Sequence, residues 1–199
     1  MFAPVAEPRV RSFLARAVRL DPAALVRMRP AGDGNVQLWT VLPFKVLAGT
    51  TVPAQLSTDV TVAAADLAAG LSDGTMPATR DGQWRGAVPG DAGTVLEQLS
   101  AAECRGIGAA AADTLRRSRG RGLGDRRLRD ALLDHVTLRV CVEQGEYELR
   151  LRLVLGLLRM GLVGDDTVRV RLTAGRLGLE TDLGVVWNPA PGLSVLTVH

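Results

Sequence analysis

Seven arginines fall within sixteen residues of this 199-residue chain, in the stretch LRRSRGRGLGDRRLRD at 115–130. Guanidinium groups at this density are typical of sites that hold phosphate oxygens, because each group offers several N–H donors in a fixed geometry. Residues 115–129 carry a charge of +6 and the whole chain carries +3, so the other residues together carry −3. The predicted nucleic-acid-binding residues are Arg116, Arg117, Arg119, Arg121, Arg126, Arg127 and Arg129.

The positions of these arginines within their predicted helices support a binding role. The first four would end one helix, where the helix dipole favours cations, but the last three would begin the next helix, where it disfavours them. Arg outnumbers Lys by 23 to one throughout the chain, which is typical of a GC-rich bacterial coding sequence. The clustering of the arginines therefore carries the argument, and the choice of Arg over Lys does not.

Other residues with reactive side chains do not form a catalytic pattern. Lys45 is the one lysine of the chain and has no acidic or nucleophilic neighbour in sequence, so we interpret it as an exposed strand charge. His135 and Cys141 are separated by a predicted strand, and no nucleophile, base and orienting group can be named together. The glycines of 120–124 lack the strand and the Lys-Ser/Thr pair of a phosphate loop. The sequence predicts a protein without catalytic residues, bound metal or small-molecule cofactor.

A second candidate site lies in the irregular segment 72–98, which the sequence RDGQW interrupts with a charged pair and an aromatic ring. Trp84 would pin this long loop to the body of the protein. Because Trp and Arg are enriched at interfaces, Arg80 and Trp84 are also candidates for binding a partner.

Hydrophobic periodicity predicts the elements of the N-terminal half. Apolar residues at helical spacing predict a helix over 8–20, and two alternating runs around AGDGN predict a β-hairpin. A further run reaches Pro53, and the segment DVTVAAADLAAGL predicts a short strand followed by a helix.

The C-terminal half begins with the clearest helix signal of the chain. Ser100 and Glu103 have the spacing of a capping box, and Asp125 would cap a second helix. The run VTLRVCV predicts a strand, the pattern changes from strand to helix near Leu151, and the tail alternates like a hairpin. Cys104 and Cys141 both fall in segments that we predict to be buried.

Helix, helix, strand, helix and hairpin is the order of elements in a winged helix. We therefore predict an α+β fold with an N-terminal helix plus β-hairpin half (1–98) and a C-terminal winged-helix-like half (99–199). The predicted function is non-enzymatic binding of nucleic acid through the Arg-rich interhelical loop. The alternative is a scaffold subunit whose Arg-rich loop meets an acidic protein partner. The N-terminal stretch lacks a long apolar run and the longest uncharged run near the end is sixteen residues with two prolines, so we expect a cytoplasmic protein without a membrane span.

Overall fold

A computed structural model describes residues 8–72, 74–118, 125–142, 145–165 and 167–190. Five α-helices and ten strands follow one another along this part of the chain. In order they are α1 (Pro8–Leu20), β1 (Leu25–Pro30), β2 (Asn35–Leu42), β3 (Val46–Pro53), β4 (Val60–Ala63), α2 (Ala64–Gly70), a short 3-10 helix (Asp81–Gln83), β5 (Thr94–Ser100), α3 (Ala101–Ser118), α4 (Asp125–Leu133), β6 (Val136–Val142), β7 (Gly145–Arg150), α5 (Leu151–Arg159), β8 (Thr167–Thr173), β9 (Arg176–Thr181) and β10 (Gly184–Trp187).

Eight of the strands form one antiparallel sheet in the order β4-β1-β2-β3-β10-β9-β8-β5. The N-terminal and C-terminal halves join where β3 pairs with β10, with Ala48 opposite Val186. Strands β6 and β7 form a separate two-stranded sheet. The central sheet is therefore shared by the two halves of the chain.

The helices cover one face of this sheet. Helix α1 packs against β2, β3 and α2, while α5 packs against β3, β9, β10 and α3. Strand residues with period-two spacing point into the layer between sheet and helices, as Val36, Leu38 and Leu42 do on β2. We call the solvent-facing side of these helices the helical face, and the opposite side of the sheet the outer face.

The two halves share one arrangement of elements. A helix followed by three antiparallel strands occurs as α1-β1-β2-β3 and again as α5-β8-β9-β10. A strand followed by a helix occurs as β4-α2 and as β5-α3, and each of these strands lies at an edge of the sheet. Helix α4 and the β6–β7 sheet are the additional elements of the second half.

The prediction of a winged-helix-like C-terminal half is wrong. Two helices, strands and a hairpin do follow one another in the second half, but β8 and β9 form no free wing. They lie within the eight-stranded sheet, whose other strands include all four of the N-terminal half. The order of elements along the chain cannot reveal this pairing, because a strand can pair with any other strand whose apolar face is on the same side.

Several local predictions are confirmed. Helix α1 covers Pro8–Leu20, β1 pairs with β2 as a hairpin, and α5 begins at Leu151. The Ser100 amide donates to Glu103 Oε2 at 2.7 Å and the Glu103 amide donates to Ser100 Oγ at 3.1 Å, which is a complete capping box. The division of the chain at residue 98 stays a prediction.

The predicted burial is right for one cysteine and wrong for the other. Cys104 is fully buried in α3, whereas Cys141 is exposed on β6. Neighbouring residues of a strand point to opposite faces, and Val140 is buried, so Cys141 lies on the exposed face of β6 with Arg139. In the part of the chain that the structure describes, no helix is long and apolar enough to cross a membrane.

Candidate functional site

Helix α1 presents a basic surface on the helical face. Its buried side consists of Val10, Phe13, Leu14 and Ala17, which pack into the main core. The opposite side carries four arginines and the helix contains no acidic residue. These arginines are Arg9, Arg11 and Arg19, which are exposed, and Arg16, which is half-buried. No described carboxylate lies within 4.0 Å of Arg9, Arg11 or Arg19.

Arg16 lies where α1 meets the end of α5. Its Nη1 donates to the carbonyl oxygen of Arg159 at 3.5 Å and its Nε donates to Ser12 Oγ at 3.3 Å. Gly161, which follows α5 with a φ of +63°, leaves room for the guanidinium of Arg16, since a Cβ there would overlap it. Arg159 itself is exposed, and its guanidinium carbon lies 5.5 Å from the ring centre of Phe44. The basic surface therefore continues from α1 to α5.

The described members of the predicted Arg-rich loop lie on the same side of the sheet. Arg116 and Arg117 are exposed in the last turn of α3, where Arg116 forms an ion pair with Asp113. Arg127 and Arg129 are exposed on α4, which contacts α3 and α5. Arg126 is the second residue of α4. The predicted Arg119 and Arg121 lie outside the described residues.

Sequence reasoning missed α1 as a candidate site. The signal was present, because four arginines and no carboxylate occur within thirteen residues. Arginines between apolar residues at helical spacing are also the pattern of an ordinary amphipathic helix. Only the structure shows that Arg16 meets the end of α5, where it donates to the carbonyl oxygen of Arg159.

Trp84 anchors segment 81–93 to the outer face. Its indole packs against the cluster of Trp39, Leu47 and Trp187 and donates to the carbonyl oxygen of Gly86. All three tryptophans of the chain thus lie together on the face opposite the helices.

Arg80 lies at the edge of the sheet. Its amide donates to the carbonyl oxygen of Thr61 at 2.7 Å, and its Nη2 lies 3.6 Å from Asp66 Oδ2. The Thr61 amide in turn donates to Asp81 Oδ1 at 2.6 Å. These bonds satisfy the amide and the carbonyl of Thr61, which face away from β1. Edge strands commonly need such partners for their unpaired backbone groups.

The described residues provide no metal-binding cluster. No group of three or more His, Cys, Asp or Glu side chains is close enough within them to hold a metal ion. His135 and Cys141 are both exposed and lie at the two ends of β6. Five residues of extended strand lie between them and separate them by roughly 20 Å, which is too far for a nucleophile and its base.

The architecture resembles that of solved DNA polymerase III beta subunits. The subunit from Pseudomonas aeruginosa has a TM-score of 0.56 and 12% identity, and the match covers 91% of this chain and 62% of that one. The subunit from Borrelia burgdorferi, solved in complex with a natural product, has a TM-score of 0.58 and 9% identity over the same shares. The subunit from Thermotoga maritima has a TM-score of 0.54 and 10% identity over 94% of this chain and 63% of that one. These similarities show a shared fold, and the chain spans less than two thirds of the length of these subunits.

No curated protein matches this sequence. Two family models match adjacent parts of the chain. The domain of unknown function DUF8010 matches residues 3–88 and the domain of unknown function DUF8185 matches residues 88–193. Because the second match covers more than half of the chain, this protein belongs to the DUF8185 family.

Proposed function

We propose that this protein is a non-enzymatic scaffold that binds the phosphate backbone of nucleic acid with its helical face. The observation that carries the proposal is the row of arginines on α1, which has no carboxylate within the helix to neutralise it. Sequence-independent binding to nucleic acid depends on such unneutralised cations, because each phosphate contact releases a condensed counterion. A rigid helix that packs on an extended sheet holds these side chains at fixed spacing.

Two further observations support this function. The exposed Arg159 of α5, Arg117 of α3 and Arg127 of α4 could extend the α1 surface, so one ligand could contact several helices. Other arginines of these helices form ion pairs, namely Arg105, Arg116 and Arg152. The fold is also shared with subunits that are described as DNA polymerase sliding clamps. The Arg-rich loop of 115–130 is, in this proposal, an extension of the α1 surface.

The alternative function is a scaffold whose Arg-rich loop binds an acidic protein partner. This alternative needs only the loop and predicts no role for α1. The two functions therefore require different arginines for binding. Nucleic-acid binding requires those of α1, whereas binding of an acidic protein requires only those of the loop.

The test measures binding of the full chain to a fluorescently labelled 20-base-pair DNA duplex at several salt concentrations. We expect the logarithm of the binding constant to fall linearly with the logarithm of the salt concentration. A triple variant, Arg9→Gln, Arg11→Gln and Arg19→Gln, should reduce the magnitude of that slope by about two to three, since each phosphate contact contributes about 0.9. Its melting temperature should stay close to that of the parent, because exposed charges contribute little to stability.

A matched control removes three arginines from the outer face and its edge, by Arg27→Gln, Arg80→Gln and Arg85→Gln. This variant has the same net charge as the α1 variant and should keep the parental slope. An equal loss in both variants would show a general effect of charge and would overturn the assignment to α1.

A third variant tests the Arg-rich loop, by replacing Arg119, Arg121, Arg126 and Arg127 with Ala. A smaller slope supports the loop as part of the nucleic-acid surface. If the parent protein has no salt-dependent affinity for DNA and this variant loses a co-purifying acidic protein, the alternative function is correct.

A further inference from the structure

An open groove of about 560 Å³ lies on the outer face, between the β2–β3 turn, segment 83–87 and the chain that follows β10. Its apolar wall is formed by Val41, Pro43, Leu47, Trp84 and Pro189. Val41 is 41% exposed and belongs to this wall. Apolar side chains of a partner would cover the wall on binding.

The charged residues in the wall of the groove are mainly cationic. Lys45, Arg85 and Arg176 line it, whereas Asp21 is the one carboxylate among its described lining residues. The groove therefore combines an apolar wall with an excess of positively charged side chains.

Arg176 is the most unusual of these cations because it is only 6% exposed and has no described carboxylate within 4.0 Å. Its Nε and Nη2 donate to the carbonyl oxygen of Asn188 at 3.0 and 2.7 Å, and its Nη1 donates to the carbonyl oxygen of Ala87 at 2.9 Å. A guanidinium has five N–H groups, so one on each Nη atom has no acceptor among the described residues.

A buried charge that is not paired with an opposite charge is costly. Burial also lowers the pKa of Arg176, because removal from water disfavours the charged form of the guanidinium. Carbonyl oxygens offset part of the cost, but a carboxylate would offset more, since an opposite charge adds direct Coulomb attraction in a buried site.

We infer that this groove binds an acidic and apolar segment of a partner protein, with a carboxylate of that segment paired to Arg176 and its apolar side chains on Val41, Leu47 and Trp84. The open shape of the groove fits an extended segment that passes across it. None of the arginines of α1 lines the groove, so this inference does not depend on nucleic-acid binding.

Two synthetic peptides test the carboxylate requirement, acetyl-Gly-Leu-Leu-Glu-Leu-Gly-amide and the same peptide with Gln in place of Glu. The chain has only three tryptophans, so few indole N–H signals appear in a proton–nitrogen correlation spectrum. The signal of Trp84, which lines the groove, reports directly on binding there. We expect the Glu peptide to shift the signal of Trp84 and to bind at least about tenfold more tightly than the Gln peptide. Arg176→Met should abolish this preference, and Arg176→Lys should retain part of it.

Because Arg176 also joins Ala87 to Asn188, its replacement could unfold the segment, and a second variant avoids this problem. Val41→Glu places a negative charge at the exposed rim and should weaken binding of the Glu peptide at least tenfold. The matched control is Val95→Glu, which changes another exposed valine at the far edge of the sheet and should leave binding unchanged.

Three outcomes would overturn the inference. The two peptides could bind equally, or neither could shift the Trp84 signal, and in both cases Arg176 serves only to join two segments. The third outcome is an equal loss of binding in Val41→Glu and Val95→Glu, which would place the peptide elsewhere. None of these outcomes bears on the salt dependence of DNA binding.

Discussion

Trp187 lies directly opposite Gly178 in the pairing of β9 with β10, and its indole occupies the space that a Cβ on Gly178 would need. The same relationship recurs on the other side of the β3–β10 pairing, where Trp39 lies opposite Gly49 and a Cβ would come 2.5 Å from the indole. A glycine in a strand often marks such a close approach. The two tryptophan–glycine pairs thus form the floor of the outer face.

Gly178→Ala should destabilise the protein by about 1–3 kcal/mol, because the added methyl group must displace the indole of Trp187 from a packed position. Urea denaturation monitored by tryptophan fluorescence measures the effect. Gly106→Ala is the control, since Gly106 is a helical glycine of α3 with open space around it. That change should stabilise the protein by about 0.5–1 kcal/mol. Equal effects at the two glycines would contradict the packing of Trp187 on Gly178.

Ser100→Ala should destabilise the protein by about 0.5–2 kcal/mol at neutral pH, since Ser100 caps α3. The effect should also depend on pH. Hydrogen bonds from the Ser100 amide and then from its hydroxyl lower the pKa of Glu103 below its ordinary value of 4.5. A carboxylate with a lowered pKa stabilises the fold above that ordinary value and loses this contribution as the pH falls through the folded-state pKa. The difference between Ser100→Ala and the parent in denaturant titrations should therefore shrink at acid pH, and a difference that grows there would exclude the capping box.

Thr40→Val should raise the free energy of unfolding by about 1 kcal/mol. The hydroxyl of Thr40 is fully buried without a hydrogen-bond partner among the described residues, and valine has nearly the same shape without the unsatisfied group. Thr181→Val is the matched control, because the buried hydroxyl of Thr181 donates to the carbonyl oxygen of Leu162 at 2.6 Å. The melting temperature should rise for Thr40→Val and fall for Thr181→Val. A loss of stability in Thr40→Val would mean that its hydroxyl has a partner.

The two cysteines should differ strongly in their reaction with a thiol reagent. Cys141 is exposed and should react rapidly in the native protein, whereas Cys104 should react only after unfolding. Burial, with a smaller effect from Glu103, raises the pKa of the Cys104 thiol from 9.0 to about 11. Because the unfolded chain loses this proton at lower pH than the folded one, stability should fall as the pH rises from about 9 towards 11. Mass spectrometry after alkylation identifies the modified residue, and rapid native modification of Cys104 would contradict its burial.

Elements whose signals are local could be predicted from the sequence. The helix over 8–20 follows from apolar residues at helical spacing, and the start of α3 follows from the spacing of Ser100 and Glu103. The change of period at Leu151 likewise marks the boundary between β7 and α5. In each case the residues that determine the structure are a few positions apart.

By itself, the sequence determined local elements such as the helix over 8–20 and the capped start of α3, but only the tertiary structure decided which strands pair and which surfaces meet. Both β3 and β10 are rich in apolar residues, yet any two such strands could pair, so the seam that joins the two halves is not encoded locally. That seam brings Arg16 of α1 to the carbonyl oxygen of Arg159 at the end of α5. It also gathers the three tryptophans on the outer face and leaves Arg176 buried beneath the groove. The physical reason is that these contacts join residues far apart in sequence, and their energy depends on the packing of the whole sheet.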